Sequence, residues 1–397
     1  MSHVSLRRRL PLAPEARPID RELRPIYAVW EVTLRCDLAC RHCGSRAGHA
    51  RPDELTTEEA LGLVRQLAEL GVKEVTLIGG EAYLRPDWLA IIEAVRAAGM
   101  QCTMTTGGRG IDRGGAEAAA AAGLGGVALS IDGTAGRHDA IRGHGSFEAA
   151  VGAMDAFSAA GVPVSVNTQI GAMNRDDVPG LLDVLIDHGV HAWQVSLVVP
   201  MGRAADEPEL LLQPYELLDV FPMLAAEAER ARGAGIRFVR GNNLGYFGPY
   251  ESVFQADDPI DYACGCGAGR QVIGIEADGA IKGCPSLATV GWSGGTVREF
   301  SLRDLWERSM PLRALREPRA SMLSGFCAGC YYGPECGGGC TWMADSLLGR
   351  PGDNPYCHHR VLELQRRGQR ERVVRVAAPP GLSFDRGRFA IVVEPLE

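Results

Sequence analysis

The sequence predicts an α/β fold: a partial (β/α)6 barrel of TIM-like form, followed by a small C-terminal domain rich in cysteine. Three observations lead there. Apolar β-like runs and amphipathic helical runs alternate six times from Tyr27 onward, the pattern of parallel strands joined by helical crossovers. Glycine-rich or polar stretches follow the strand ends, namely CDLACRHC, GGEA, SIDG and NTQIG, and α/β barrels carry their chemistry at those ends. Cysteine density rises sharply from Cys264 while periodicity fades. That suits a small domain held by metal rather than by a large core. The doubly wound open sheet is the rival architecture.

Each element has its own signal. Residues 1–26 are rich in Pro and Arg and read as an extension. YAVWEVTL is the first strand. TTEEALGLVRQLAELG is an amphipathic helix opened by Thr and stopped by Gly. VKEVTLIGG, MQCTMTTGG, LGGVALSIDG, VPVSVNTQIG and VHAWQVSLVVP are strands. PDWLAIIEAVRAAG, RGGAEAAAAAG, SFEAAVGAMDAFSAAG and VPGLLDVLIDHG are the helices between them. A further helix near 214–233 precedes a short strand, GIRFV, and completes a barrel domain over 27–240. Residues 241–263 lose periodicity and gain Gly and aromatics, so they read as a folded connector. Residues 264–360 form the cysteine-rich domain. In the tail, 361–397, the charged stretch VLELQRRGQRERV reads as a helix and RFAIVVEP as a strand.

Bulk properties narrow the function. The chain has 397 residues, 46% of them hydrophobic, and a net charge of −8, which argues against a broad nucleic-acid surface. Its basic residues are almost all Arg, with Lys only at 73 and 282. The run Arg7-Arg8-Arg9 reads as a solvated end, because the LPLAPEARP that follows is no signal-peptide core. No segment approaches the roughly 18 consecutive apolar residues of a membrane span. Twelve cysteines without an export signal point to a reducing cytoplasm and to metal rather than disulfides.

Cys36, Cys40 and Cys43 stand in RCDLACRHC, directly after the first strand. A tetrahedral zinc site wants four ligands, and so does an ordinary iron–sulfur cluster. Three thiolates leave one iron of a [4Fe–4S] cube without a protein ligand, so a small molecule is expected to fill that position. A Cx3Cx2C motif in this place resembles the radical S-adenosylmethionine (SAM) family. The resemblance implies that the SAM amino and carboxylate groups chelate the open iron. It implies that an electron from the reduced cluster breaks the S–C5′ bond, and that the resulting 5′-deoxyadenosyl radical abstracts a substrate hydrogen. The cofactor supplies that chemistry and the protein positions it.

Other segments fall where the family places its SAM contacts. Gly79, Gly80 and Glu81 match the segment that binds the methionine amino group, with Ala82 in place of the usual Pro. Ser130 and Asp132 match a fourth-strand segment that meets the methionyl or ribose groups, and Asn167 a polar fifth-strand position near the same ligand. Helix-cap or turn roles are as good an account of these three. Val198 and Val199 are candidates to cover the adenine. Arg142 either pairs with the SAM carboxylate or staples its loop. His42 reads as a backbone placeholder, and Cys102 as a buried apolar residue.

The second cysteine set runs Cys266, Cys284, Cys327, Cys330, Cys336, Cys340 and Cys357. Its order and spacing resemble the SPASM extension of radical SAM enzymes, which holds two auxiliary [4Fe–4S] clusters. The resemblance assigns Cys327, Cys330, Cys336 and Cys357 to a distal cluster, and Cys266, Cys284 and Cys340 to one nearer SAM. Cys264 is the available fourth ligand of the nearer cluster. IEADGAIKGC reads as a hairpin with Asp278-Gly279 at its turn, presenting Cys284. Two structural zincs are the bland alternative for the set.

The resemblance spans about residues 27–360 and implies a cytoplasmic enzyme with SAM and three [4Fe–4S] clusters. Its expected substrate is a ribosomally made peptide or small protein, modified by cross-linking, epimerisation or oxidation. Its expected partner is an external electron donor of flavodoxin or ferredoxin type. Only 26 residues precede the barrel, so either leader recognition is expected to need a separate protein or the substrate is not leader-guided. One alternative is oxidation or rearrangement of a small molecule or a sulfatase-type protein, although Pro285 stands where sulfatase-maturating relatives place an Asp that serves as the base. The alternative of another class is an iron–sulfur electron carrier or regulator without SAM chemistry.

Overall fold

The computed structural model describes residues 12–257, 266–317 and 319–396. The Arg7–Arg9 run and Cys264 lie outside the described residues. Seven strands pair in parallel in chain order: β1 Tyr27–Thr33, β2 Glu74–Gly79, β3 Gln101–Thr106, β4 Gly126–Ser130, β5 Val164–Ile170, β6 Ala192–Leu197 and β7 Arg237–Arg240. A doubly wound sheet reverses its strand order at a switch point. This one does not, so the partial barrel is the architecture. Burial alternates along β3, β4 and β5, because one face of each strand meets the helices and the other faces the barrel interior.

The helices form from the signals that announced them. In Thr57–Leu70, Ala60, Leu63, Val64 and Leu67 recur at helical spacing and are buried. The Thr56 hydroxyl accepts from the Glu59 N–H at 3.3 Å, and Gly71 closes the helix at φ 96°. Leu63 and Leu67 are fully buried, each contributing about 1.5–3 kcal/mol.

The region after the connector is not a separate layer. A hairpin of β8, Val272–Ile275, and β9, Ile281–Lys282, turns at Asp278-Gly279 as expected, with Gly279 at φ 84°. β8 then pairs in parallel with β1, from Tyr27 beside Val272 to Trp30 beside Ile275. The sheet order is therefore β7-β6-β5-β4-β3-β2-β1-β8-β9.

The tail differs from its sequence reading. The helix runs His358–Arg366 and stops at Gly368, which sits at φ 66°. Most of the expected second half of that helix is strand: β10, Gln369–Ala377, pairs antiparallel with β11, Arg388–Pro395. The cause is local. Glu371 and Val373 alternate inward, and both Glu371 oxygens are taken by Arg360, at 2.7 and 2.8 Å.

The N-terminal extension is clamped to the C-terminal half. In the short helix Pro18–Glu22 the Asp20 carboxylate is fully buried, with Arg17 Nε at 2.8 Å, Arg313 Nε at 3.0 Å and Arg316 Nη1 at 2.9 Å. Burial alone would raise its pKa, but hydrogen bonds from Arg17 and Arg316 hold it down to about 2. A depressed carboxylate stabilises the fold above its unfolded value of about 4 and loses that contribution as pH falls toward 2. The loss is about 2 kcal/mol. Urea unfolding at pH 5 and pH 2.5 is expected to show that fall in the parent chain and a smaller one in Asp20→Asn.

Candidate active site and cysteine centres

The loop after β1 carries the first cysteines. It is closed by the Cys36 N–H on the Gly48 carbonyl at 3.1 Å and the Gly48 N–H on the Leu34 carbonyl at 3.0 Å. Cys36, Cys40 and Cys43 all line one cavity of about 270 Å³ at the C-terminal ends of the strands, with Gly79, Gly80, Glu81 and Ser130. Burial pushes the Cys36 thiol up to about 12, and nearby Glu81, Cys40 and Cys43 add to the rise. Burial also raises Cys40. Such thiols give up their protons to a metal that replaces the missing positive charge. Three soft donors, with no other cysteine among the described residues lining that cavity, fit a [4Fe–4S] cube with one iron open to a ligand.

The glycines of GGE are demanded by space. The N–H groups of Gly80 and Glu81 donate to the carbonyls of Thr33 and Arg35 at 2.9 and 2.8 Å. A β-carbon on Gly79 would lie 2.0 Å from the Thr33 oxygen, and one on Gly80 2.1 Å from the Arg35 oxygen. Glu81 is buried, and its carboxylate accepts from the Thr106 hydroxyl and from the Gly107 N–H, the latter at 2.7 Å. Burial raises its pKa to about 7 against those hydrogen bonds. The site thus holds a carboxylate that gains from a nearby ammonium group.

Asp132 stands behind the cavity rather than in it. It is buried, with His42 Nε2 at 2.9 Å, Arg142 Nε at 2.6 Å and the Gln169 N–H at 2.9 Å. Burial would raise its pKa, but Arg142 and His42 hold it well below the usual carboxylate range. Its oxygens are spent on protein groups, so it positions side chains instead of meeting a ligand directly. His42 and Arg142 do line the cavity. Arg142 Nη1 stands 3.8 Å from Cys40 Sγ, so this arginine faces the cavity besides tying the end of its helix, Ala135–Arg142, to Asp132. His42 is correspondingly more than a backbone placeholder, since its side chain ties the cysteine loop to β4.

Asn167 does not reach this cavity. It lines a second, polar cavity of about 440 Å³ that includes residues at the strand starts, such as Tyr27 and Glu74. Gln169, two residues further along β5 on the same face, lines the cysteine cavity instead. Val198 and Val199 are buried and do not line it, whereas Met201 does. Sequence reasoning also missed Arg203, which donates from Nε to the Cys40 carbonyl at 2.7 Å and from Nη1 to the Ala47 carbonyl at 3.0 Å. No motif announces it, because the contact spans 163 residues.

The later cysteines gather in two places. Cys327, Cys330, Cys336 and Cys357 line one small cavity with Tyr246, Phe247, Tyr332 and His359. Burial pushes Cys357 up to about 12, and Cys327 and Cys330 add to it. Cys284 and Cys340 are raised by burial to about 11 and 12, each with Cys266 as a neighbouring charge. Four thiols in one set and three in the other suit metal clusters. Cys264, the expected eighth, lies outside the described residues. Tyr246 of the connector joins the sets: its hydroxyl accepts from the Cys340 N–H at 3.0 Å, and its carbonyl lies 3.7 Å from Cys357 Sγ. Cys102 is fully buried in β3.

Known proteins resemble this chain over most of its length. The mycofactocin maturase MftC of Mycobacterium ulcerans is 31% identical over 337 residues, 83% of this chain and 86% of its own. A PqqA peptide cyclase of Ruegeria pomeroyi is 30% identical over 86% of this chain and 90% of its own. The pre-heme d1 synthase of Dinoroseobacter shibae is 28% identical over 84% of this chain and 86% of its own. Among solved structures, Streptococcus suis SuiB bound to its precursor peptide SuiA shares the fold, with a TM-score of 0.64 at 18% identity, over 87% of this chain and 77% of that one. Residues 30–185 match the Radical SAM superfamily, and together with the extent of the first two relatives this shows that the chain belongs to the radical SAM superfamily of enzymes.

Proposed function

We propose that the chain is a maturase that modifies a ribosomally made peptide through radical SAM chemistry, by cross-linking, epimerisation or oxidation. The observation that carries this reading is the cavity where Cys36, Cys40 and Cys43 meet Gly79, Gly80 and Glu81. The three thiolates would hold a [4Fe–4S] cluster. When bound to it, SAM supplies a 5′-deoxyadenosyl radical that abstracts hydrogen. Glu81 would receive the SAM ammonium, aided by the strand-end backbone at Gly80. Arg142, aimed by Asp132, would receive the carboxylate. Ser130 and Gln169 offer hydrogen bonds within the same cavity.

Cys327, Cys330, Cys336 and Cys357 are proposed to hold one auxiliary [4Fe–4S] cluster, and Cys266, Cys284 and Cys340, with Cys264, the other. The working partners in this reading are a flavodoxin- or ferredoxin-type electron donor and a separate leader-recognition protein. Among the described residues no helix is long and apolar enough to cross a membrane, and the thiol-rich centres suit a reducing cytoplasm.

The relation to a PqqA peptide cyclase and to MftC favours a peptide substrate. The relation to a pre-heme d1 synthase supports the second reading, oxidation or rearrangement of a small molecule. Anaerobically reconstituted protein, given SAM, dithionite and any short peptide found encoded beside its gene, is expected to yield 5′-deoxyadenosine and a peptide of altered mass. 5′-Deoxyadenosine without altered peptide shifts the reading to the small molecule. No 5′-deoxyadenosine at all leaves an iron–sulfur carrier.

A further inference from the structure

The loop between β10 and β11 lies outside every motif used so far, yet it reaches the cavity. Phe384 of this loop is 9% exposed and lines the space that holds Cys36 and Glu81. Its backbone sits at φ 53°, an uncommon conformation for a bulky residue and one that surrounding structure must enforce. The enforcement is visible. The Asp385 carboxylate accepts from the Gly381 and Leu382 N–H groups at 2.5 and 2.8 Å and from Arg46 Nε at 2.8 Å. The Asp385 carbonyl accepts from the Gly202 N–H at 2.9 Å. The loop is thereby fixed both to the cysteine loop and to the segment after β6.

The ring also has a fixed neighbour. The ammonium of Lys282, one of two lysines in the chain, lies 3.9 Å from its centroid. Lys282 is fully buried and satisfied by Glu276 at 2.9 Å and the Leu287 carbonyl at 2.6 Å. It is therefore a held cation beneath an aromatic face, not a free charge offered to a ligand. Met201, Pro285 and Trp342 line the same cavity, and Trp342 Nε1 donates to Met201 Sδ at 3.3 Å. The lining of the cavity thus joins cysteines and a carboxylate with aromatic and apolar side chains.

We propose that Phe384, with Met201, Pro285 and Trp342, forms an apolar subsite that receives an apolar or aromatic side chain of the substrate beside the SAM position. This rests on the peptide-maturase reading and adds which kind of residue the peptide presents. A pocket of this kind gains from burying apolar area and from aromatic contacts, and Pro285 offers no side-chain group to bind a charged residue.

The probes are p-cresol and indole, with propionate as the charged control. Each is titrated by saturation-transfer NMR into anaerobically reconstituted, SAM-loaded protein. Both aromatic probes are expected to bind and to compete with each other, and propionate to bind at least about tenfold more weakly. Phe384→Ala is expected to weaken the aromatic probes about fivefold or more, and Phe384→Leu about twofold, at iron contents equal to the parent. The proposal is overturned if neither aromatic probe binds, if propionate binds equally well, or if Phe384→Ala at full iron content binds as the parent does. Should Phe384→Ala lose iron, Phe384→Leu and the competition in the parent decide. Failure of the peptide reading shows separately, as an unmodified peptide in the activity assay with probe binding intact.

Discussion

An anaerobically reconstituted Cys40→Ala chain is expected to form no detectable 5′-deoxyadenosine from SAM and dithionite, and to hold about four iron atoms fewer than the parent. Cys40 is the most buried of the three thiols on the first loop, and Arg142 Nη1 lies close to it. Two thiolates cannot retain a cube that already lacks a fourth protein ligand. The auxiliary centres proposed above draw on cysteines elsewhere in the chain and are expected to stay loaded. Iron analysis and 5′-deoxyadenosine chromatography on the same sample make the check. Retention of all iron with normal SAM cleavage removes the cysteine loop from the chemistry.

Replacing Asp132 by Ala is expected to destabilise the chain by about 3–5 kcal/mol, because Arg142 keeps its buried position and loses its carboxylate. The two residues lie 2.6 Å apart with side-chain exposures of 0% and 10%. His42 loses its 2.9 Å partner in the same change, so the cysteine loop loosens as well. SAM affinity is expected to fall about 10–100-fold, the usual cost of removing a group that aims a ligand. Asp132→Asn keeps the shape without the charge and is expected to fall between Ala and the parent. Urea unfolding and SAM titration give the two readouts, and an unfolding energy within 1 kcal/mol of the parent refutes the role.

The parts of this architecture that could be read in advance are those written in local pattern. Helical spacing located Thr57–Leu70, and cysteine spacing located the first loop. Depth along a strand was less legible. Asn167 and Gln169 share a face by the two-residue period of β5, but nothing in that period says which of them stands level with Cys36. Asp132 was placed near the right strand end, but its partners come from the cysteine loop, His42, and from the end of the helix Ala135–Arg142, and only tertiary structure shows that they consume its oxygens. The tail misled because Arg- and Glu-rich sequence favours helix, while Gly368 and the burial of Glu371 and Val373 decide for strand. Likewise β8 is too short to signal that it pairs beyond its own hairpin.

That last pairing limits how this chain can be rearranged. With β8 laid along β1, the auxiliary region cannot be detached as an autonomous cassette. A chain cut after residue 240 would leave the first barrel strand with a bare rim of backbone groups, an invitation to self-association. Chimaeras between such enzymes would then have to exchange the hairpin together with the barrel that it completes.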